Sequence, residues 1–371
     1  MRAMVREWPL LFILLTTGLF LVFGGRWVQD LSDPGWFTLM LLWPFVTILF
    51  AAFALVRHAE SIAVKLGEPF GTLVLTLAVT GLEAMMIAAI MYTGPSESSV
   101  ARDTMFAVIM IVLNGLVGVC LLLGGLRYRE QQLNLYGANT FLAVIIPLAV
   151  LVLVMPSFTT STPNSTSSPL QSVFLIAMSV GLYCTFLALQ TRWHRDYFIV
   201  HVASEVGSLE EDAEYHGVSE IRSLPYHIIF LLVYILPVLI LAKQLAKPID
   251  YGVQALGAPP AISGLLVAAL ILAPESLAAV RAALANHLQR SINLSLGSVL
   301  ASISLTIPAV LTIGFITGKT IVLGLDSVDM ILLALSLTVS IVTFTLERTN
   351  ALLGAVHLLM FLAYLMLLFE R

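Results

Sequence analysis

Apolar residues fall in eleven long runs, at 9–28, 36–56, 68–93, 101–126, 137–156, 169–191, 223–242, 255–280, 292–318, 328–346 and 349–369. Nearly every run reaches the roughly 20 residues that a helix needs to cross the hydrocarbon core of a bilayer. Most breaks between them carry charge or Gly, Pro, Ser and Thr. In lipid each backbone N–H and C=O must find its partner within the chain, which leaves helices or closed barrels. Barrel strands would be about 10 residues long with alternating polarity, and these runs are longer and uniformly apolar. The pattern predicts an all-α polytopic membrane protein of about eleven transmembrane helices. Arg2 and Arg6 precede the first run, but no small-residue cleavage site follows it, so it is read as a retained span rather than a signal peptide.

Composition narrows the class. Of 371 residues 59% are hydrophobic and 11% charged, too few polar residues to cover a water-soluble surface. A net charge of −4 provides no basic field for nucleic acid. Cys120 and Cys184 both sit in apolar runs, where they read as inert thiols and lack the spacing of a zinc cluster. With the N-terminus placed in the cytoplasm, twelve of the 18 Lys and Arg fall in inside segments and six in outside segments. That bias predicts an N-terminus inside and a C-terminus outside.

The longest polar segment, 192–222, holds Glu205, Glu210, Glu211, Asp212, Glu214 and Glu220 with His194, His201 and His216. It separates two halves, 36–191 and 223–371, and leaves 1–35 as an extra N-terminal span. The segment reads as a solvated cytoplasmic linker, with calcium sensing as the sharper alternative.

Carboxylates locate the chemistry. Every Asp lies in a loop or at the end of an apolar run, and of the Glu residues only Glu83 and Glu275 lie deep inside runs. A carboxylate within a membrane span is costly and by default functional. Glu83 is in span three and Glu275 in span eight. Five spans apart means opposite directions through the membrane, so spans two to six and seven to eleven form two inverted five-helix repeats. In that plan the ion site lies near the midplane, between the repeats.

The surroundings of both residues are rich in oxygen. Thr72, Thr76, Thr80 and Glu83 share one helix face by their spacing of 4, 4 and 3. Ser291, Ser295, Ser298, Ser302 and Thr306 do the same in span nine, and Asn114 lies at mid-depth in span four. Such stripes also serve plain helix packing; converging on two carboxylates, they read as ligand walls. Pro274 leaves the Leu270 carbonyl without its helical donor, and Gly81 loosens the helix before Glu83, so both helices are expected to be interrupted. Hydroxyl, amide, carbonyl and carboxylate oxygens suit calcium or sodium rather than soft metals. The candidate set is Glu83 and Glu275, for both cation and proton, supported by Thr76, Thr80, Asn114, Ser298, Ser302 and Thr306. Lesser candidates are Glu68 at the cytoplasmic mouth of span three, the Arg102–Asp103 pair opening span four, and His357 within span eleven. His357 is read as a packing residue ahead of a proton relay. An intramembrane enzyme is excluded, because no H-E-x-x-H motif occurs and no Asp lies deep in a span.

Four stretches carry a family resemblance: GEPFGTLVLTLAVTGLEAMMIAAIMYTG, ARDTMFAVIMIVLNGLVGVCLLLGGLRYRE, LVAALILAPESLAAVRAALANHLQRSINLSLGSVLASISLTIPAVLTIGFITGK and RTNALLGAVHLLMFLAYL. The chain resembles the calcium/cation antiporter superfamily, and within it the bacterial ChaA-type calcium/proton antiporters. The resemblance implies alpha-repeats at 67–130 and 257–319, with Glu83 and Glu275 as their paired acidic ligands. It implies a bacterial inner-membrane protein that moves calcium out and protons in, with no resident cofactor and, as partners, the lipid bilayer and the transported ions but no nucleic acid. Many exchangers of the superfamily carry Asn three residues before each Glu; here those positions are Thr80 and Leu272. Sodium or potassium against protons is the alternative cargo, and a passive cation channel is the alternative class.

Overall fold

The computed structural model describes residues 7–67, 70–93, 97–193, 197 and 222–370. Among them, eleven helices are long and apolar enough to cross a membrane: α1 (Trp8–Trp27), α2 (Pro34–Leu66), α3 (Phe70–Thr93), α4 (Val100–Tyr128), α5 (Leu135–Ser157), α6 (Pro169–Thr191), α7 (Leu224–Leu256), α8 (Ile262–Leu284), α9 (Leu288–Thr317), α10 (Ser327–Phe344) and α11 (Ala351–Phe369). Their starts follow local chemistry. The Asp33 side chain accepts from Trp36 N, Asn134 from Tyr136 N, and Asn350 from Leu352 N and Leu353 N. Ser168 and Gln171 form a reciprocal capping box at α6. Each satisfies donors that the first helical turn leaves open.

Two helices outrun their apolar segments. α2 and α7 are 33 residues each, although their runs span about 20. Hydropathy marks where lipid begins; backbone hydrogen bonding carries a helix on into the polar boundary. Glu60 and Asp250, read from sequence as loop residues, therefore stand on helices. Pro274 and Gly81 also behave differently from expectation. α8 and α3 run unbroken through them, and the irregular turns lie in other spans.

The chain forms two compact units, residues 1–94 with 203–263 and residues 95–202 with 264–371. In the first, α2 and α7 pack along each other, α3 packs against both, and α1 lies against both α2 and α7. An aromatic knot closes the α1–α2 hairpin. Trp36 Nε1 donates to the Trp27 carbonyl at 2.8 Å, Trp43 Nε1 to Thr16 Oγ1 at 3.2 Å, and Phe20 meets Trp27 and Trp43 edge-on. At the other end of the hairpin, Glu7 accepts two hydrogen bonds from Arg57 and one each from Tyr226 and Tyr234. Burial pushes the Glu7 carboxyl up, but nearby His58, the Tyr234 hydroxyl and the Arg57 charge outweigh it and hold the pKa at about 2.

In the second unit α4 is the most enclosed helix, with 78% of its apolar window buried, followed by α9 at 67%. α11 lies against α4, where a Cβ on Gly354 would run into the backbone of Leu122 and Gly118; small residues permit that approach. α9 packs against α4, α5 and α6, and α10 against α4, α5 and α11. α8 runs parallel to α4: Gly264 abuts Asp103 at their starts, and the Tyr128 hydroxyl donates to the Leu284 carbonyl at their ends. Four two-residue strands tie loops together. β1 (Glu97–Ser98) pairs in parallel with β3 (Thr320–Ile321), and β2 (Gln131–Gln132) pairs antiparallel with β4 (Arg348–Thr349).

Candidate functional site

Glu83 lies near the middle of α3 and is fully buried, at 0% exposure. Between Phe70 and Thr93 the helix carries no Lys, Arg or His. Thr80, one turn earlier, is buried and its hydroxyl donates to the Thr76 carbonyl at 2.7 Å. With its proton committed to the backbone, the Thr80 oxygen presents only lone pairs outward, the polarity that a cation or a protonated carboxyl requires. Thr76 is half-buried. Glu83, Thr80 and Thr76 belong to the first unit. The side chain of Thr72, Glu68 and the acidic stretch with its three His residues lie outside the described residues.

The remaining candidates belong to the second unit. Glu275 sits in α8 immediately after Pro274; it is half-buried, with Oε2 shielded from solvent. Asn114 is fully buried in α4. Its Nδ2 donates to Ser336 Oγ of α10 at 2.8 Å and approaches Met110 Sδ at 3.5 Å. That network fixes the amide orientation and leaves Oδ1, which is buried without a hydrogen bond among the described residues, as an acceptor. In α9, Ser302 and Thr306 are buried, and Ser298 is half-buried. Ser295 donates to the Ser291 carbonyl at 2.8 Å, which assigns part of that stripe to helix packing.

Two features escaped the sequence reading. The first is a π-helical turn in each of the two most enclosed spans, Met110–Leu116 in α4 and Ser302–Thr306 in α9. Each contains candidate ligands, Asn114 in one and Ser302 with Thr306 in the other. A π-turn shifts the carbonyl ladder by one residue and recurs at functional sites. These turns supply the irregular backbone that Pro274 and Gly81 were expected to provide. The second is a buried polar line on α10: Ser336, Ser340 and Thr343, spaced 4 and 3 on one face. It begins at Asn114 and ends where Thr343 Oγ1 meets His357 Nε2 of α11 at 2.9 Å. The spacing was visible in the sequence, but no carboxylate marked it. Arg102 and Asp103 form an ion pair at 2.8 Å, and Arg102 also donates to the Gly324 carbonyl, an arrangement that anchors the start of α4. Among the described residues no group of three His, Cys, Asp or Glu is placed to hold a metal.

Eleven helices long and apolar enough to span a membrane, several of them carrying carboxylate, hydroxyl or amide oxygens within the span, define a polytopic membrane protein of the transporter class. The model of the sodium/calcium exchanger protein family matches residues 36–192 and 226–370, and the chain belongs to that family. It is 40% identical over 324 residues, 87% of each chain, to the sodium-potassium/proton antiporter ChaA of Escherichia coli. It is 43% identical over 319 residues, 85% of each chain, to a putative ionic transporter, y4hA, of Sinorhizobium fredii. Its fold is similar to the native YfkE structure, with a TM-score of 0.73 at 16% identity, covering 98% of this chain and 100% of that one. A crystal structure of the H+/Ca2+ exchanger CAX gives 0.67 at 13% identity, covering 97% and 88%. The chain is therefore a multi-pass membrane cation antiporter, and not an enzyme.

Proposed function

We propose that this antiporter exchanges cytoplasmic calcium for external protons by alternating access, with Glu83 and Glu275 as the paired carboxylates that bind both. The observation that carries the reading is Glu83: a carboxylate with no exposed surface in the middle of a membrane-spanning apolar helix. Two carboxylates in a low-dielectric site resist being ionised together, because desolvation and mutual repulsion raise their proton affinity. A divalent cation between them reverses that, since its charge balances both. The site is then neutral with protons and neutral with calcium, and costly when empty. Such a site crosses the membrane loaded and not empty, which makes the two ions exchange rather than leak. Thr80, Thr76, Asn114, Ser298, Ser302 and Thr306 supply neutral oxygens toward the coordination number of 6–8 that calcium takes. The basic bias of the loops supports a cytoplasmic N-terminus and an inner-membrane location in a bacterium.

A second reading, sodium or potassium against protons, is favoured by Leu272. One turn before Glu275, where an oxygen would help to complete a calcium shell, it presents a buried hydrocarbon. The name of the Escherichia coli relative points the same way. Inside-out vesicles with an imposed pH gradient, acid inside, separate these readings. Accumulation of calcium driven by the gradient alone supports the first. Accumulation of sodium or potassium without calcium overturns it in favour of the second. Cation flux that ignores the pH gradient makes the protein a channel.

A further inference from the structure

The first unit holds a cluster of titratable groups that the transport site does not use. Glu7 stands just before α1, Arg57 and His58 stand on α2, and Tyr226, His227 and Tyr234 line the first turns of α7. His58, His227 and Tyr234 are all buried. The Nδ1 atoms of His58 and His227 are 3.0 Å apart. The other nitrogen of His227, Nε2, lies 3.2 Å from the backbone N–H of Arg222. The other nitrogen of His58, Nε2, lies 3.6 Å from Glu7 Oε1. Phe230 stacks on the His58 ring, and Tyr226 and Tyr234 flank it.

A backbone N–H only donates, so His227 Nε2 is an acceptor and carries no proton. A neutral His227 therefore has its proton on Nδ1, where it donates to His58 Nδ1. The proton of His58 then sits on Nε2, facing the Glu7 carboxylate. One arrangement of protons satisfies the contacts from Arg222 to His58 and turns the remaining N–H, on His58 Nε2, toward Glu7 Oε1 at 3.6 Å; in it both rings are neutral.

An added proton has no place in that chain. On His58 Nδ1 it sets two N–H groups against each other across 3.0 Å. His227 relieves this by moving its own proton to Nε2, which then opposes the Arg222 N–H. Proton uptake thus breaks either the α2–α7 contact or the contact that fixes the start of α7. The charged groups nearest the two rings are Glu7 and, opposite in sign, Arg57 and Lys65; Arg222 lies over the Tyr226 ring beside them. Both clasped helices flank α3, the helix that carries Glu83, so opening the clasp withdraws the support that orients that carboxylate.

We propose that His58 and His227, with Glu7, form a second proton-binding site, apart from the transport carboxylates, through which the pH on the N-terminal side of the membrane sets the maximal rate of exchange. The proposal rests on the antiport reading for its kinetic test but not for its structural one. Protons competing with the cation at Glu83 and Glu275 raise KM and leave the saturated rate alone; the clasp lowers the saturated rate. In wild-type vesicles at saturating cation, acidifying the N-terminal side from about pH 7.5 to about pH 4.5 is expected to slow exchange several-fold. In His58→Gln and His227→Gln that fall flattens, while the rise in KM remains. The same fall in the wild type and both variants, or a wild-type saturated rate that does not change, overturns the proposal. Hydrogen exchange on the wild-type protein tests it without a variant. Amides at 222–230 and 55–62 should lose protection at the acidic pH relative to the rest of the chain, after correction for intrinsic rates. Unchanged protection there overturns the clasp even where proton-coupled transport is confirmed, and absence of proton-coupled transport leaves this second measurement intact.

Discussion

Two carboxylates of the first unit, Glu7 and Glu83, are both withdrawn from water, and the protein treats them in opposite ways. Glu7 sits at a helix start and meets one guanidinium and two phenol hydroxyls, all at 3.0 Å or less. Its charge is balanced by groups that never leave. Glu83 sits in the middle of α3, whose sequence from Phe70 to Thr93 offers hydroxyls and hydrocarbon but no cation. A charge balanced by fixed partners fastens helices together. A carboxylate buried at the middle of a membrane span is costly and marks an ion or proton pathway by default.

The sharpest way to break this comparison is to neutralise each carboxylate at constant shape. Glu83→Gln or Glu275→Gln should reduce proton-driven cation flux in vesicles to background while the purified protein still melts cooperatively. Full flux by either variant removes that residue from the site. Glu7→Gln should show the reverse emphasis. Exchange stays measurable, and stability falls by about 1–3 kcal/mol, the range for charged hydrogen bonds lost from a partly exposed pair. Thermal melting in detergent measures it.

The pH dependence of melting sharpens the same contrast. The folded Glu7 carboxyl is held at about 2 against an ordinary value of 4.5. Its contribution is therefore complete above about pH 4.5 and is lost as pH falls toward 2. Wild type should lose melting temperature across that window more steeply than Glu7→Gln. Equal slopes would mean that the Arg57 and tyrosine contacts do not hold the charged form in solution.

Neutral ligands should matter less than either carboxylate. Asn114→Ala removes a buried acceptor and orphans Ser336; it should weaken cation binding by about 1–1.5 kcal/mol, roughly tenfold. Ser336→Ala, which only frees the Asn114 amide to turn, should cost less. Isothermal titration of the purified variants with calcium, sodium and potassium checks both. If Ser336→Ala proved worse than Asn114→Ala, the α10 line rather than the amide oxygen would be the working element.

Much of this was legible in the chain because membranes impose simple rules. A run of about 20 apolar residues has few alternatives to a spanning helix, so eleven runs became eleven helices. Glu83 and Glu275 stood out because a carboxylate in such a run is rare. What stayed hidden depends on contacts distant in sequence. Nothing in the sequence singles out Glu7, since Arg57, Tyr226 and Tyr234 lie 50, 219 and 227 positions away. The π-turns of α4 and α9, like those at Val150–Val154 and Leu189–Trp193, are announced by no residue type. Pro274 announced a break that the surrounding helices absorb. The overrun of α2 and α7 past their apolar runs was missed because hydropathy reports the solvent, whereas the helix follows its own backbone hydrogen bonds. That overrun brings His58 onto a helix, within reach of His227.

The central claim is that one pair of carboxylates holds protons and cation by turns, and proton release on cation binding tests it most directly. Calcium added to the purified protein in weakly buffered detergent solution should acidify the medium, by up to about two protons per ion bound. The release should shrink as the pH is raised and the site empties of protons, while calcium affinity tightens. Glu83→Gln should abolish the release. Calcium that binds with no protons released, or with undiminished release from Glu83→Gln, would contradict the account.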